Sequence, residues 1–249
     1  MTDRPVAPGR MAPEDPALLA LARAAADEVH DGMLVGLGSG STAEALVREL
    51  GRRAGEGLRI TGVPTSHRTA ELAASFDIPL RTLDDVVETG ERITVGLDGA
   101  DEIDPHLHAT KGRGGALLFE KLVALACQRY VLIAGEAKLV SRLGSRMPVP
   151  VEVVALGWAA TARRLDALGL APVLRSGKNG SAYRTDSNNL ILDCHAGGLA
   201  NPAATAREVK ATTGVVEHGL FLGIAHAAYI VDADRVVREI RPPATGERN

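Results

Sequence analysis

The sequence predicts an α/β protein: a Rossmann-like parallel sheet with helices on both faces, joined to a smaller ferredoxin-like α+β domain. Two observations support this. Short apolar, β-branched runs near 33–37, 58–63, 92–97 and 129–134 alternate with helical patterns near 16–30, 42–54, 67–75 and 115–128, as in repeated β-α units. From Pro148 the rhythm changes to strand 149–154, helix 157–168, strand 171–175, strand 189–193, helix 203–212 and strand 214–218, a β-α-β-β-α-β series. The expected organisation is a tail over 1–14, a larger α/β domain over 15–146 and 220–245, and a smaller domain over 147–219. Residues 1–13, rich in Pro, Arg and Gly, lack the apolar stretch of a signal peptide and read as a disordered tail.

Asp15-Pro16 has the form of an N-cap and first helical residue, which starts the first helix. Met33-Leu-Val-Gly-Leu37 reads as a strand, and Gly38-Ser-Gly-Ser-Thr42 opens a helix whose apolar positions recur through Leu50. A small, hydroxyl-rich loop at a helix start suits a phosphate: glycines let the backbone approach, first-turn N–H groups point at the anion, and hydroxyls add donors. It is not a Walker loop, because no Gly-Lys-Ser/Thr follows, and Ser41 stands where a dinucleotide fingerprint from Gly36 needs its third glycine. A tight turn capped by Ser or Thr has the same pattern.

The strand Arg92-Ile-Thr-Val-Gly-Leu97 leads into Asp98-Gly-Ala-Asp-Glu-Ile-Asp104 and then Lys111-Gly-Arg-Gly-Gly-Ala116. Acids, bases and glycines are thus concentrated where the chain leaves a sheet, the edge at which open α/β sheets bind ligands. In the helix that follows, Glu120 shares a face with Ala116, Leu117, Val123, Ala124 and Cys127, whereas Lys121 falls toward Gln128 on the side expected to be wetter. A carboxylate held among apolar side chains loses hydration and becomes a proton shuttle better matched to neutral pH; a glutamate paired with a nearby cation gives the same pattern. Asn201-Pro202 is expected to cap the second helix of the small domain, and the segment from Leu220 onward, with Ala227-Ala-Tyr-Ile-Val231, to return to the first domain.

In order along the chain, Gly36-Leu-Gly-Ser-Gly-Ser-Thr42, Asp98-Gly-Ala-Asp-Glu102, Lys111-Gly-Arg-Gly-Gly-Ala116, Glu120-Lys121, Lys138, Pro148-Val-Pro-Val-Glu152, Thr185-Asp-Ser-Asn-Asn-Leu-Ile-Leu-Asp193 and Gly214-Val-Val-Glu-His-Gly-Leu-Phe221 resemble the signature segments of the type A ribose-5-phosphate isomerases, over roughly residues 16–240. The resemblance implies an aldose–ketose isomerase that interconverts D-ribose 5-phosphate and D-ribulose 5-phosphate in the non-oxidative pentose phosphate pathway, without metal or organic cofactor. It also implies Glu120 as the base, Lys111 with backbone N–H groups of the Gly112–Gly115 loop as oxyanion stabilisers, and Asp98 and Asp101 as paired acids that bind sugar hydroxyls. Ser39, Gly40, Ser41 and Thr42, Gly99 and Ala100, Gly112, Arg113 and Gly114, and Lys138 are implied to line the substrate site. Where many members read Gly-Thr-Gly-Ser-Thr and Lys-Gly-Gly-Gly, this chain has Ser39 and Arg113. No lysine precedes Lys111, so a first-helix lysine found in some relatives is absent and Arg68 or Arg113 is left as the substitute cation. Relatives are usually homodimers or homotetramers.

Two other functional classes share this architecture. A sugar-phosphate sensor domain would bind without turnover, but no helix-turn-helix segment precedes the sheet and Glu120 is present; a coenzyme A transferase would use a glutamate as nucleophile, which the Asp-Gly-Ala-Asp-Glu segment argues against. An isomerase of another aldose phosphate is the nearer alternative. A net charge of −3 gives no basic footprint for nucleic acid, no apolar run reaches membrane-spanning length, and Cys127 and Cys194 read as reduced core thiols, so a cytoplasmic protein is expected.

Overall fold

The carboxyl-terminal edge of a parallel sheet is where this chain gathers the first part of its chemistry. The computed structural model describes residues 15–177 and 179–243; the tail expected at 1–14 and the end of the larger domain at 244–245 lie outside them. The described chain runs α1 (Pro16–Ala26), β1 (Leu34–Leu37), α2 (Ser41–Gly55), β2 (Thr61–Pro64), α3 (His67–Ala74), α4 (Leu83–Glu88), β3 (Ile93–Gly99), β4 (Glu102–Ile103), β5 (Ala109–Thr110), α5 (Leu117–Ala126), β6 (Cys127–Gly135), β7 (Val149–Val153), α6 (Trp158–Ala167), β8 (Pro172–Leu174), β9 (Leu190–Cys194), α7 (Pro202–Ala211), β10 (Val215–His218), β11 (Leu220–Phe221), β12 (Ala227–Val231) and β13 (Val237–Ile240). It divides into two units. The first holds the described residues up to Gly99, Val123–Leu139 and Ala225–Pro242; the second holds Ala100–Leu122 and Val140–Ile224.

In the first unit six strands lie in the order β13-β12-β6-β3-β1-β2, all parallel except β13, which pairs antiparallel with β12. Alternation along the buried strands assigns the two faces. Val35, Leu37, Val95, Leu97, Val131 and Ile133 pack with Leu21 and Ala25 of α1 and Leu46 and Leu50 of α2. The intervening Gly36 and Gly96 face the other way, where a Cβ on Gly36 would lie 3.0 Å from Val123 and one on Gly96 2.5 Å from the Cys127 sulfur. Helices therefore cover both faces, as expected. The caps are local: Asp15 accepts from Ala17 N at 2.8 Å with Pro16 next in line, and Ser66 accepts from Thr69 N at 3.1 Å at the start of α3. Such caps typically contribute about 1 kcal/mol each.

The second unit contains a sheet in the order β10-β7-β9-β8, fully antiparallel, with α6 between β7 and β8 and α7 between β9 and β10. This is the expected β-α-β-β-α-β module, and Asn201 caps α7 by accepting from Ala204 N at 3.0 Å. Its central strand β7 is buried along its length and packs through Val149, Val151 and Val153 with Leu165, Leu192 and Val209. A small sheet β11-β5-β4 belongs to the same unit.

Several boundaries differ from expectation. The first helix stops at Ala26 rather than 30, because residues 27–28 turn toward the loop at Gly32, whose φ is +80°. The helix expected over 115–128 begins only at Leu117, since Gly112 and Gly115 take φ values of +103° and +90°, and Cys127 leads straight into β6. The second strand begins at Thr61 rather than 58. Helix α4, started by a capping box between Thr82 and Asp85, and strands β4, β5, β11 and β13 are additional.

Both Cys127 and Cys194 are free and buried, with their thiols pushed up to about 12 chiefly by desolvation. Gly96→Ala is expected to destabilise the protein by about 1–3 kcal/mol through overpacking against the Cys127 sulfur. A fall in urea midpoint at constant denaturant slope checks this.

Candidate active site

In the first unit the loop after β1 is tied to the end of β3 by one carboxylate. Asp98, only 1% exposed, accepts from Ser39 N at 3.0 Å, from Gly99 N at 2.7 Å and from the Tyr130 hydroxyl at 3.4 Å. The fit requires Gly38: a Cβ there would sit 2.3 Å from the Asp98 carboxyl carbon. The Ser39 hydroxyl joins a cluster with Thr65, Ser66 and Thr69 at 2.7, 2.9 and 3.3 Å, and Thr65 and Thr69 in turn donate to Leu37 O and Gly38 O, both at 3.0 Å. The cluster fixes the strand-to-loop corner from beneath. Gly40, with φ +86°, stands at the N-cap of α2 and supplies no side-chain cap, leaving Ser41 and Thr42 in the first turn. Gly99 packs near Thr42, with its would-be Cβ 3.6 Å from the Thr42 Cβ. Lys138, half-buried, lies in a short 3₁₀ turn just beyond β6. Arg68, one candidate for the missing cation, is paired to Glu44 at 2.7 Å.

In the second unit β5 delivers Lys111, whose backbone N donates to Gly219 O at 2.8 Å. Lys111 is 2% exposed and its Nζ lies 3.5 Å from Glu120 Oε2 and 5.5 Å from the centre of the Phe221 ring; Glu120 is 3% exposed on the first turn of α5. Burial of both charges strengthens their interaction and makes each dependent on the other. Asp101 accepts from Arg113 N at 2.9 Å and donates its own N–H to Thr110 O at 2.8 Å, bracing the start of the glycine loop. From the small module, Arg175 donates to Gly112 O at 2.8 Å and Arg113 O at 3.1 Å, and the Tyr183 hydroxyl donates to Gly114 O at 3.1 Å. Glu102, 1% exposed, accepts from Arg146 N at 2.7 Å and Met147 N at 3.0 Å, and also from Gly144 N.

Lys121 corrects the sequence reading. Rather than occupying a wet face it is 7% exposed, donating to Glu217 Oε1 at 2.8 Å, His218 O at 2.6 Å and His218 Nδ1 at 3.2 Å, with Phe221 under its ammonium at 5.0 Å. Burial lowers its pKa, and Glu217 opposes that shift. Burial raises the Glu217 carboxyl, yet the bonds from Lys121 and Lys210 outweigh it and bring it to about 2. Burial lowers His218 to about 4, assisted by the neighbouring Lys121. Its Nδ1, accepting from Lys121 and from Leu220 N at 3.3 Å, carries the lone pair of a neutral ring.

Among the implied residues the first unit thus groups Ser39, Gly40, Ser41, Thr42, Asp98, Gly99 and Lys138 at the carboxyl ends of its strands, and the second holds Ala100, Asp101, Lys111, Gly112, Arg113, Gly114 and Glu120. Sequence reasoning did not single out Arg175, Tyr183, Thr65 or Thr69 as parts of the site, since each acts on a residue far along the chain and sits in no chemical motif.

A family model described as ribose 5-phosphate isomerase A (phosphoriboisomerase A) matches residues 61–235. The chain belongs to that family. Ribose-5-phosphate isomerase A of Roseiflexus castenholzii is 50% identical over 226 residues, spanning 90% of this chain and 95% of that protein. A solved D-ribose-5-phosphate isomerase in complex with phospho-erythronic acid superposes with a TM-score of 0.85 at 35% identity, covering 90% of this chain and 97% of the other. Ribose 5-phosphate isomerase A from Methanocaldococcus jannaschii does so at 0.84 and 34%, covering 90% and 98%. Within this chain, the family match takes in Asp98, Asp101, Lys111, Glu120, Lys138 and the Glu217–His218 pair.

The pH dependence follows from the shifts. Glu217 sits below its ordinary value of 4.5, so its stabilisation is complete above 4.5 and disappears as pH falls toward 2. The unfolded His218 ring takes up its proton near 6.5 and the folded ring only near 4, so stability also falls as pH drops between those values, by at most about 3 kcal/mol. His218→Asn is expected to flatten the stability profile between pH 6.5 and 4 while leaving the steeper loss below 4.5, as denaturant unfolding across pH will record.

Proposed function

We propose that the chain interconverts D-ribose 5-phosphate and D-ribulose 5-phosphate through an ene-diolate, with Glu120 as the base. The observation that carries this reading is the buried Lys111–Glu120 pair, 3.5 Å apart, beside a glycine loop that presents backbone N–H groups. Moving a proton between C2 and C1 needs one carboxylate able to serve both carbons, and a cation at the oxygen where negative charge develops. Glu120 takes the proton from C2 and returns it to C1, the hydroxyl proton of O2 passes to O1, and the Lys111 ammonium and the loop N–H groups hold the negative charge that develops between the two transfers. Asp98 and Asp101 bind sugar hydroxyls and assist ring opening; both are already oriented by backbone N–H donors. The phosphate is assigned to the first turn of α2, where backbone N–H groups and the Ser41 and Thr42 hydroxyls suit a dianion, with Lys138 as the cation. In this assignment Ser39 supports the corner through its hydroxyl cluster and contributes its backbone to the loop. The phospho-erythronic acid held by a solved relative shares a phosphorylated polyhydroxy chain with the proposed substrate.

Purified protein treated with EDTA is expected to convert ribose 5-phosphate to ribulose 5-phosphate, with arabinose 5-phosphate as an inhibitor. Glu120→Gln should lower kcat by about 10²–10⁴-fold with the fold retained. Binding of the sugar phosphate without turnover in the wild type would favour a sensor; full activity in Glu120→Gln would remove Glu120 as the base.

A further inference from the structure

The backbone groups of the loop after Lys111 can be counted peptide by peptide. In the 112–113 peptide the carbonyl accepts from Arg175 at 2.8 Å and from Gly115 N at 3.0 Å, and the Arg113 N–H donates to Asp101 at 2.9 Å. In the 114–115 peptide the carbonyl accepts from Tyr183 at 3.1 Å, and the Gly115 N–H is the one bonded to Gly112 O. The 113–114 peptide differs. Its carbonyl accepts from Arg175 at 3.1 Å, but the exposed Gly114 N–H makes no hydrogen bond among the described residues. The Gly112 N–H also makes none among them, but no Arg175 contact orients the peptide that carries it. A trans peptide holds its C=O and N–H antiparallel, so whatever fixes the Arg113 carbonyl also aims the Gly114 N–H.

We infer that Arg175 is a positioning residue that aims the Gly114 N–H at the developing oxyanion. The inference rests on the isomerase reading above and extends it to a residue of the small module. Arg175 is built for the task. Its guanidinium is 13% exposed, is held by Asp193 through Nε at 2.9 Å and through a second nitrogen, and stacks 5.8 Å from the Tyr183 ring. One nitrogen bridges two successive carbonyls while the others are locked to the carboxylate, so the loop is fixed by a rigid planar group rather than a flexible ammonium. Tyr183 completes the constraint, because its ring occupies the space that a side chain at Gly115 would need: a Cβ there would lie 2.1 Å from the hydroxyl. Preorganised donors of this kind act on the transition state more than on bound substrate.

The test uses the full-length protein with Arg175→Met, and Arg175→Lys as a second variant that keeps the charge but not the fork. Readouts are kcat, KM and affinity for two ligands: a phosphorylated four-carbon hydroxamate, which mimics the ene-diolate, and ribitol 5-phosphate, which has no carbonyl. The expected result for Arg175→Met is a fall in kcat of about 10²-fold, a matching loss of hydroxamate affinity, and changes below about threefold in KM and ribitol 5-phosphate affinity. Arg175→Lys should fall between Arg175→Met and the wild type. Equal weakening of both ligands, or wild-type hydroxamate affinity in both variants, overturns the inference. Exchange of the substrate C2 proton with solvent, present in wild type and lost in Glu120→Gln, tests the underlying base separately, so its absence would defeat that reading whatever Arg175 does.

Discussion

Removing a carboxylate from water obliges a protein to surround it with donors, and among the described residues four carboxylates, Asp98, Glu102, Glu120 and Glu152, are at most 3% exposed. Each is provided for differently. Asp98 is held by backbone N–H groups of Ser39 and Gly99, which fixes the β1–α2 corner to the end of β3. Glu102 is wrapped by the N–H groups of Gly144, Arg146 and Met147, which ties the small β4 strand to the start of the β-α-β-β-α-β module. Glu152 takes bonds from Thr185 and Asn189 with no cation among them, and burial raises its carboxyl above the ordinary range. Glu120 has a buried ammonium, that of Lys111, 3.5 Å away. Three of these arrangements position backbone or loops, and the fourth sets a buried carboxylate beside a buried ammonium.

The same division appears in how much could be read from sequence. Parallel strands showed themselves as apolar runs, and the small module through its element order, because burial writes a local period into the chain. Glu120 was legible for that reason too: a lone acid on an apolar helical face. Lys121 was misread because its burial depends on Glu217, 96 residues away, which no local period reports. Arg175 acts on Gly112 across 63 residues and was invisible for the same cause. Strands β4, β5 and β11 have two residues each, too few to show alternation, and β13 carries Arg238 and Glu239 on an exposed edge, so its composition reads as loop.

The aromatic ring at Phe221 joins two of these themes. It is buried, sits in β11 beside the strand that delivers Lys111, and has the ammonium groups of Lys111 and Lys121 at 5.5 and 5.0 Å from its centre. A quadrupole between two buried ammonium groups offsets part of their desolvation without adding a charge that would compete with Glu120 or Glu217. The segment Glu217-His-Gly-Leu-Phe221 therefore serves both lysines from one short stretch of chain, which accounts for a motif whose residues include no proposed catalyst.

The two cysteines give the molecule an unplanned pair of internal clocks. Cys127 opens β6 of the parallel sheet of one unit and Cys194 ends β9 of the antiparallel sheet of the other, and both thiols are held in the protonated, unreactive form. Both residues are buried, so a thiol reagent added to the native protein is expected to react as the structure around each sulfur opens locally. The ratio of the two modification rates therefore compares the opening of one unit with that of the other, without a label having to be introduced.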